Sequence, residues 1–326
     1  MDNTKNTASK FFNRIGFALF AMAALTFVLQ TLLIRLPDLI SAGSDTFWRS
    51  GWYFWIASFV PLYAVGFPVG LWILKKVPGD NREPLTLGGK NFFLFMLMCF
   101  PIMYVGNLIG NILSSLLSAG NATNALYSYA FDDSPLKIVV MVILAPLLEE
   151  FLFRKQLIDR TARYGEKTAI LFSALAFGLF HMNLYQFFYA FGLGLLFGYV
   201  YLRTRRLRYS VIMHIAINGL SSVVVPLLLS KVGTDTFVQM AAGQYDEAAL
   251  IAILPDMVGF VLYAFAILGF SVAGLVVLIV KVPKLVYLPA SEELLKEERF
   301  KAVYCNFGVI LFTVFCVIFF ILNLIH

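Results

Sequence analysis

The stretch Val139–Arg154, VVMVILAPLLEEFLFR, decides how the chain is read. Its first ten residues are apolar, as a bilayer or a deep core requires, and they run directly into Glu149 and Glu150. The remainder of the chain says which setting applies. Of 326 residues, 60% are hydrophobic and 13% are charged, with a mean hydropathy of +0.82. Soluble domains carry roughly twice that share of charge, so an ordinary soluble domain, a disordered chain and a disulfide scaffold are all excluded. Nine apolar stretches can be marked, at about 15–36, 52–75, 91–117, 136–153, 167–182, 184–202, 208–230, 256–280 and 303–325. A crossing takes roughly 20 residues. The expected fold is therefore all-α, a polytopic transmembrane helical bundle of about eight or nine spans. It divides as one integral unit into N-terminal helices (1–134), a core (135–230) and C-terminal helices with a cytoplasmic amphipathic segment (231–326).

The basic residues orient the bundle. With the N-terminus cytoplasmic, 21 of the 25 Lys and Arg fall on the cytoplasmic side, leaving Arg35, Arg49, Lys137 and Lys231 outside. Such a split follows the positive-inside rule, so the net charge of +6 needs no nucleic-acid partner. The first stretch follows Lys5, Lys10 and Arg14 without a small-residue cleavage site and is expected to be a retained helix. The fifth and sixth are short and meet around His181–Asn183, which suggests a tight hairpin that need not cross the whole bilayer. Segment 291–301, SEELLKEERFK, reads as a solvated surface helix. Cys99, Cys305 and Cys316 lie in apolar stretches without metal-type spacing, and packing is their expected role.

By location, Glu149 and Glu150 are the only acidic residues inside a span. Each costs roughly 2.5–3.5 kcal/mol at bilayer depth, so the pair is a functional candidate by default. The bland reading is a pair near a helix end neutralised by Arg154. Adjacent helical residues point about 100° apart, whereas Glu150 and Arg154, at i and i+4, share a face. Glu149 is thereby free to face elsewhere. Pro146 removes a backbone donor and is expected to kink the helix just before the carboxylates. Of three histidines, His326 is terminal and the other two occupy apolar segments. Phe177 and His181 share a face at i and i+4, as do His214 and Asn218. If the fourth helix continues through Arg154–Arg163 to reach water near residue 163, then at 1.5 Å per residue Glu149 and His181 come roughly 21 Å in from the cytoplasmic ends, His214 roughly 10 Å and Asn218 roughly 16 Å, whereas a helix ending at Arg154 would bring Glu149 nearer the cytoplasm. They can share one layer.

A carboxylate and an imidazole flanking a water supply a general base and proton shuttle, and a second His or an Asn amide stabilises an oxyanion. An apolar setting makes a carboxylate a better base near neutral pH, while an adjacent guanidinium keeps its neighbour ionised. That inventory suits peptide-bond hydrolysis by an activated water. Glu149, His181 and His214 could alternatively bind Zn²⁺, although the motif His-Glu-x-x-His is absent, and metal-free activation is preferred.

Taken in order, Glu149-Glu150-x-x-x-Arg154, Phe177-x-x-x-His181 and His214-x-x-x-Asn218 resemble the motifs of the CPBP family (CAAX proteases and bacteriocin-processing proteins, also called Abi). Its eukaryotic relative is the Ras-converting type II CAAX prenyl protease. The resemblance covers about 135–230. It implies an intramembrane glutamic endopeptidase in which Glu149 and His181 activate water and His214 and Asn218 form the oxyanion hole. Glu150 and Arg154 would support the site, and Phe177 would pack beside His181. No cofactor is then required, with Zn²⁺ as the alternative. The implied partners are membrane lipid and a peptide or lipidated protein substrate, with peptide maturation or self-immunity as the roles of bacterial members; the compact, loop-poor chain with no targeting segment read in it suggests a bacterial plasma membrane. A proton-coupled transporter and a non-catalytic immunity or scaffold protein of the same fold are the rival readings.

Overall fold

The computed structural model describes residues 2–40, 47–48, 50–79, 83–124, 129–130, 132, 134–232 and 247–325. Arg49 and Arg82 of the charge count, and His326, lie outside the described residues. Those residues form helices and connecting turns, with no strand among them. In chain order the helices are α1 (Asp2–Leu39), α2 (Gly51–Leu74), α3 (Gly89–Leu117), α4 (138–164), α5 (Glu166–Phe180) and α6 (Leu184–Thr204). They continue as α7 (Leu207–Lys231), α8 (Glu247–Lys281), α9 (Lys296–Tyr304) and α10 (Phe307–Ile325).

Seven of these are long and apolar enough to cross a membrane: α1, α2, α3, α6, α7, α8 and α10. The chain is thus a polytopic helical bundle and an integral membrane protein. The other two apolar stretches of the sequence became α4 and α5. The first is interrupted by charge, and the second, with 15 residues, rises only about 22 Å. These two helices bear Glu149, Glu150, Arg154 and Phe177, and His181 directly follows α5.

Local chemistry sets the boundaries. Gly165, at φ 127°, breaks α4 from α5 in a conformation that side chains with a Cβ rarely adopt. Asn183 caps α6 by accepting from the Gln186 N–H at 2.9 Å, and Arg205 ends it in a left-handed conformation, φ 52°. Around α6 the packing is close. It lies against α3 and α5, with Gly106 of α3 against the Tyr189 backbone and Gly194 against Ala174 of α5. Small residues let membrane helices approach where lipid gives no hydrophobic drive. α1 packs along α10, and α8 lies on α3 with Leu262, Phe265 and Val276 turned outward to lipid.

The basic residues gather at one end of the bundle. Arg160 Nε donates to Leu74 O at 3.2 Å, Arg163 Nη2 to Pro78 O at 3.3 Å, and Lys281 Nζ to Asn91 Oδ1 at 2.9 Å. By the positive-inside rule this end is cytoplasmic.

Two expectations need correction. Segment 291–301 is not one helix: α9 begins only at Lys296, because Leu294 is buried and the backbone before it pairs with 163–164, Glu292 N–H to Arg163 O at 2.9 Å and Leu294 N–H to Tyr164 O at 3.3 Å. Cys305 is exposed in the joint between α9 and α10 rather than inside a span, whereas Cys99 and Cys316 are buried and free.

Candidate active site

The carboxylates stand on a short regular stretch, Ala145–Glu150, between two widened, π-helical ones, Ile138–Leu144 and Phe151–Ile158. In the first of these the Ala145 N–H reaches back five residues to Val140 O. By the same register Met141 O would wait for the N–H of residue 146, which is proline and has none. Asn218 supplies the missing donor, its Nδ2 lying 2.9 Å from Met141 O. Pro146 therefore acts through a widened turn and an orphaned carbonyl, and the side chain that repairs the gap comes from α7.

Glu150 and Arg154 pair as their spacing implied, and the contact is bidentate: Nε to Oε2 at 3.0 Å and Nη2 to Oε1 at 3.2 Å. Both side chains are fully buried. Arg154 Nη1 also donates to Ser173 Oγ at 3.2 Å, and the Ser173 hydroxyl donates in turn to Phe153 O at 2.5 Å. The guanidinium lies 4.8 Å from the Phe177 ring centroid and 5.9 Å from that of Phe197. A buried charge must be matched in this way to be tolerated at all.

His214 bridges the two acids. Its Nδ1 is 3.1 Å from Glu150 Oε1, and because the carboxylate of an Arg154-paired Glu150 accepts, Nδ1 is the donor. Nε2 then faces Glu149 Oε2 across 3.7 Å, wider than a hydrogen bond. His181 is fixed by the same logic. Its Nδ1 lies 2.8 Å from Phe177 O, a carbonyl that can only accept, so Nδ1 bears the hydrogen, and in the neutral imidazole Nε2 keeps its lone pair. The Phe177 ring joins the histidines, edge-on to His181 at 4.9 Å and to His214 at 5.8 Å.

Glu150, Arg154, Phe177, His181 and His214 thus meet in one cluster. Glu149 joins it only through His214, and the described contacts include no hydrogen bond or ion pair between Glu149 and His181. Asn218 touches the carboxylate helix two turns from Glu149. The zinc set Glu149, His181 and His214 is not gathered into a metal-binding group among the described residues.

Ser173, Ser210 and Phe197 escaped the sequence reading. Two of them had a signal. Ser173, Phe177 and His181 form one i, i+4, i+8 stripe on α5 and its end, and Ser210, His214 and Asn218 form another on α7, so each stripe extends one turn toward the cytoplasm from the pair already noted. Ser210 is fully buried, its hydroxyl donating to Leu207 O at 3.1 Å. Phe197, 5.6 Å from His214, was one of 33 phenylalanines and had none.

With this geometry in view, the comparison with known proteins is specific about place. Residues 132–220 match the family of type II CAAX prenyl endopeptidases, Rce1-like. The core resembles Rce1-like endopeptidases. All seven site residues fall within that Rce1-like region, which nearly coincides with the 135–230 core. The chain is also 35% identical over 88 residues to the "Putative membrane peptidase YdiL" of Bacillus subtilis, an overlap of 26% of this chain and 35% of the relative. The chain therefore spans about a third of the length of the curated relative it matches. No solved structure matches it.

Proposed function

We propose that this protein is an intramembrane endopeptidase that hydrolyses peptide bonds of membrane-associated or lipidated proteins and peptides at a bacterial plasma membrane. The observation that favours this reading is the division of labour between two neighbouring acids. Glu150 is fully buried and has both oxygens committed, whereas the Glu149 side chain is 27% exposed and keeps its oxygens free of hydrogen bonds among the described residues. A structural pair would bury and satisfy both.

In the proposed reaction Glu149 accepts a proton from water as the water oxygen bonds to the scissile carbonyl carbon, with His181 Nε2 as the second acceptor around that water. The carbonyl oxygen takes up the charge. His214, when Nε2 bears a proton, and the Asn218 N–H not used by Met141 O would hold it. Collapse breaks the C–N bond, and the proton moves to the leaving amine. Glu150 and Arg154 position His214 and provide the fixed charge beside it.

This chemistry runs on the chain's own residues, so protein reconstituted in vesicles should cleave lipidated test peptides at an undiminished rate after exhaustive chelation. A chelated sample that is inactive and is restored by Zn²⁺ would replace the glutamic mechanism with a metal one. Comparing the peptides of cells that carry the native protein with those carrying Glu149→Gln would name the substrate.

A further inference from the structure

A separate cavity of about 460 Å³ opens at the basic end of the bundle, between the start of α3, the end of α6 and the end of α8. Its polar lining is Asn91, Arg203, Lys281 and Lys284, with the ring of Tyr199 beside them and no carboxylate in the wall. Lys281 Nζ donates to Asn91 Oδ1 at 2.9 Å and lies 5.6 Å from the Phe95 ring centroid. Neither Lys281 nor Lys284 has a carboxylate within ion-pair distance among the described residues. Arg203 pairs with Glu166 through Nη2, while its Nε is buried without a hydrogen-bond partner. Asn91 belongs to the first turn of α3, whose N-terminus has no side-chain cap. Positive charge thus exceeds negative charge within a concave site at the membrane edge.

The other walls are apolar, with Phe95 and Val280 among them, and Val280 is half exposed on the lipid-facing side of α8. We propose that this cavity binds the phosphate-bearing headgroup of an anionic phospholipid, whose acyl chains run back along Val280 into the bilayer. Basic pockets between transmembrane helices on the cytoplasmic side suit such headgroups, and an uncapped helix start adds to the attraction for phosphate. A free phosphate would use the cations but not the apolar wall. The occupant would tie α3, α6 and α8 together. Phe197, six residues before Arg203 on α6, packs on His214, so the lipid would brace the helix behind the candidate active site. The proposal stands whether or not that site hydrolyses peptides.

The test uses the full-length protein in detergent, titrated separately with phosphatidylglycerol, phosphatidylcholine and inorganic phosphate, with bound lipid read by native mass spectrometry and stability by thermal unfolding. Phosphatidylglycerol should bind and raise the unfolding temperature, and the other two should not. Lys281→Gln/Lys284→Gln should weaken phosphatidylglycerol binding about thirtyfold, roughly fivefold per lysine. Asn91→Asp, which keeps the side-chain size but adds an acid to the cavity, should weaken it as well. Lys75→Gln/Lys76→Gln, at the same end but outside the cavity, should leave it unchanged. Equal binding of the two lipids, equal loss in the Lys75/Lys76 control, or stabilisation by inorganic phosphate alone would each overturn the proposal.

Discussion

Glu149→Gln is expected to lower peptide-bond cleavage by about 10²–10⁴-fold, the usual contribution of a positioned general base, while leaving the fold intact. The substitution keeps the side chain's size and removes its capacity to take a proton. Nothing else should change, because Glu149 makes no hydrogen bond among the described residues and its nearest ionic neighbour, His214 Nε2, is 3.7 Å away. The informative readout is the pair of measurements together. Lost cleavage with an unchanged unfolding temperature supports a catalytic acid. Retained cleavage would remove Glu149 from the mechanism.

Arg154→Ala should do the reverse and strike stability first. The guanidinium is fully buried, and removing it leaves the Glu150 carboxylate inside the bundle with His214 as its remaining hydrogen-bond partner among the described residues, a loss of about 3–5 kcal/mol. That is several times the cost of a typical substitution, roughly 1 kcal/mol. The double variant Glu150→Gln/Arg154→Met removes both charges and keeps an apolar stem against Phe177 and Phe197, so it should recover part of the loss. Unfolding of the reconstituted protein by a denaturing detergent measures both. If the double variant is no more stable than Arg154→Ala, an uncompensated Glu150 charge does not account for the effect.

How far the sequence could be read depended on what kind of contact was involved. The membrane class, the hairpin at His181–Asn183 and the Glu150–Arg154 pair all follow from local rules, namely hydropathy and the i, i+4 face. The division between Glu149 and Glu150 followed from the same geometry. Three features did not. The bridge from His214 to both acids is a contact between α7 and α4, and helix periodicity cannot say which helices adjoin. The repair of Met141 O by Asn218 required knowing that the helix widens before Pro146, whereas the sequence suggested only a kink. Leu294, in a segment read as solvated, is drawn into the core by backbone pairing with 163–164, an association distant in sequence.

The widened turns of α4 have a consequence for how this helix can vary in length. A π-helical turn is an α-helical turn that has accommodated an additional residue, so 138–144 and 151–158 hold slack on either side of the carboxylates. A residue removed from either stretch can be absorbed by returning to the regular helix, with the aim of Glu149 preserved. A residue removed between Ala145 and Glu150 finds no such slack and would swing the acids by about 100° relative to the helix before them. The helix is elastic at both flanks and rigid across the six residues where direction matters.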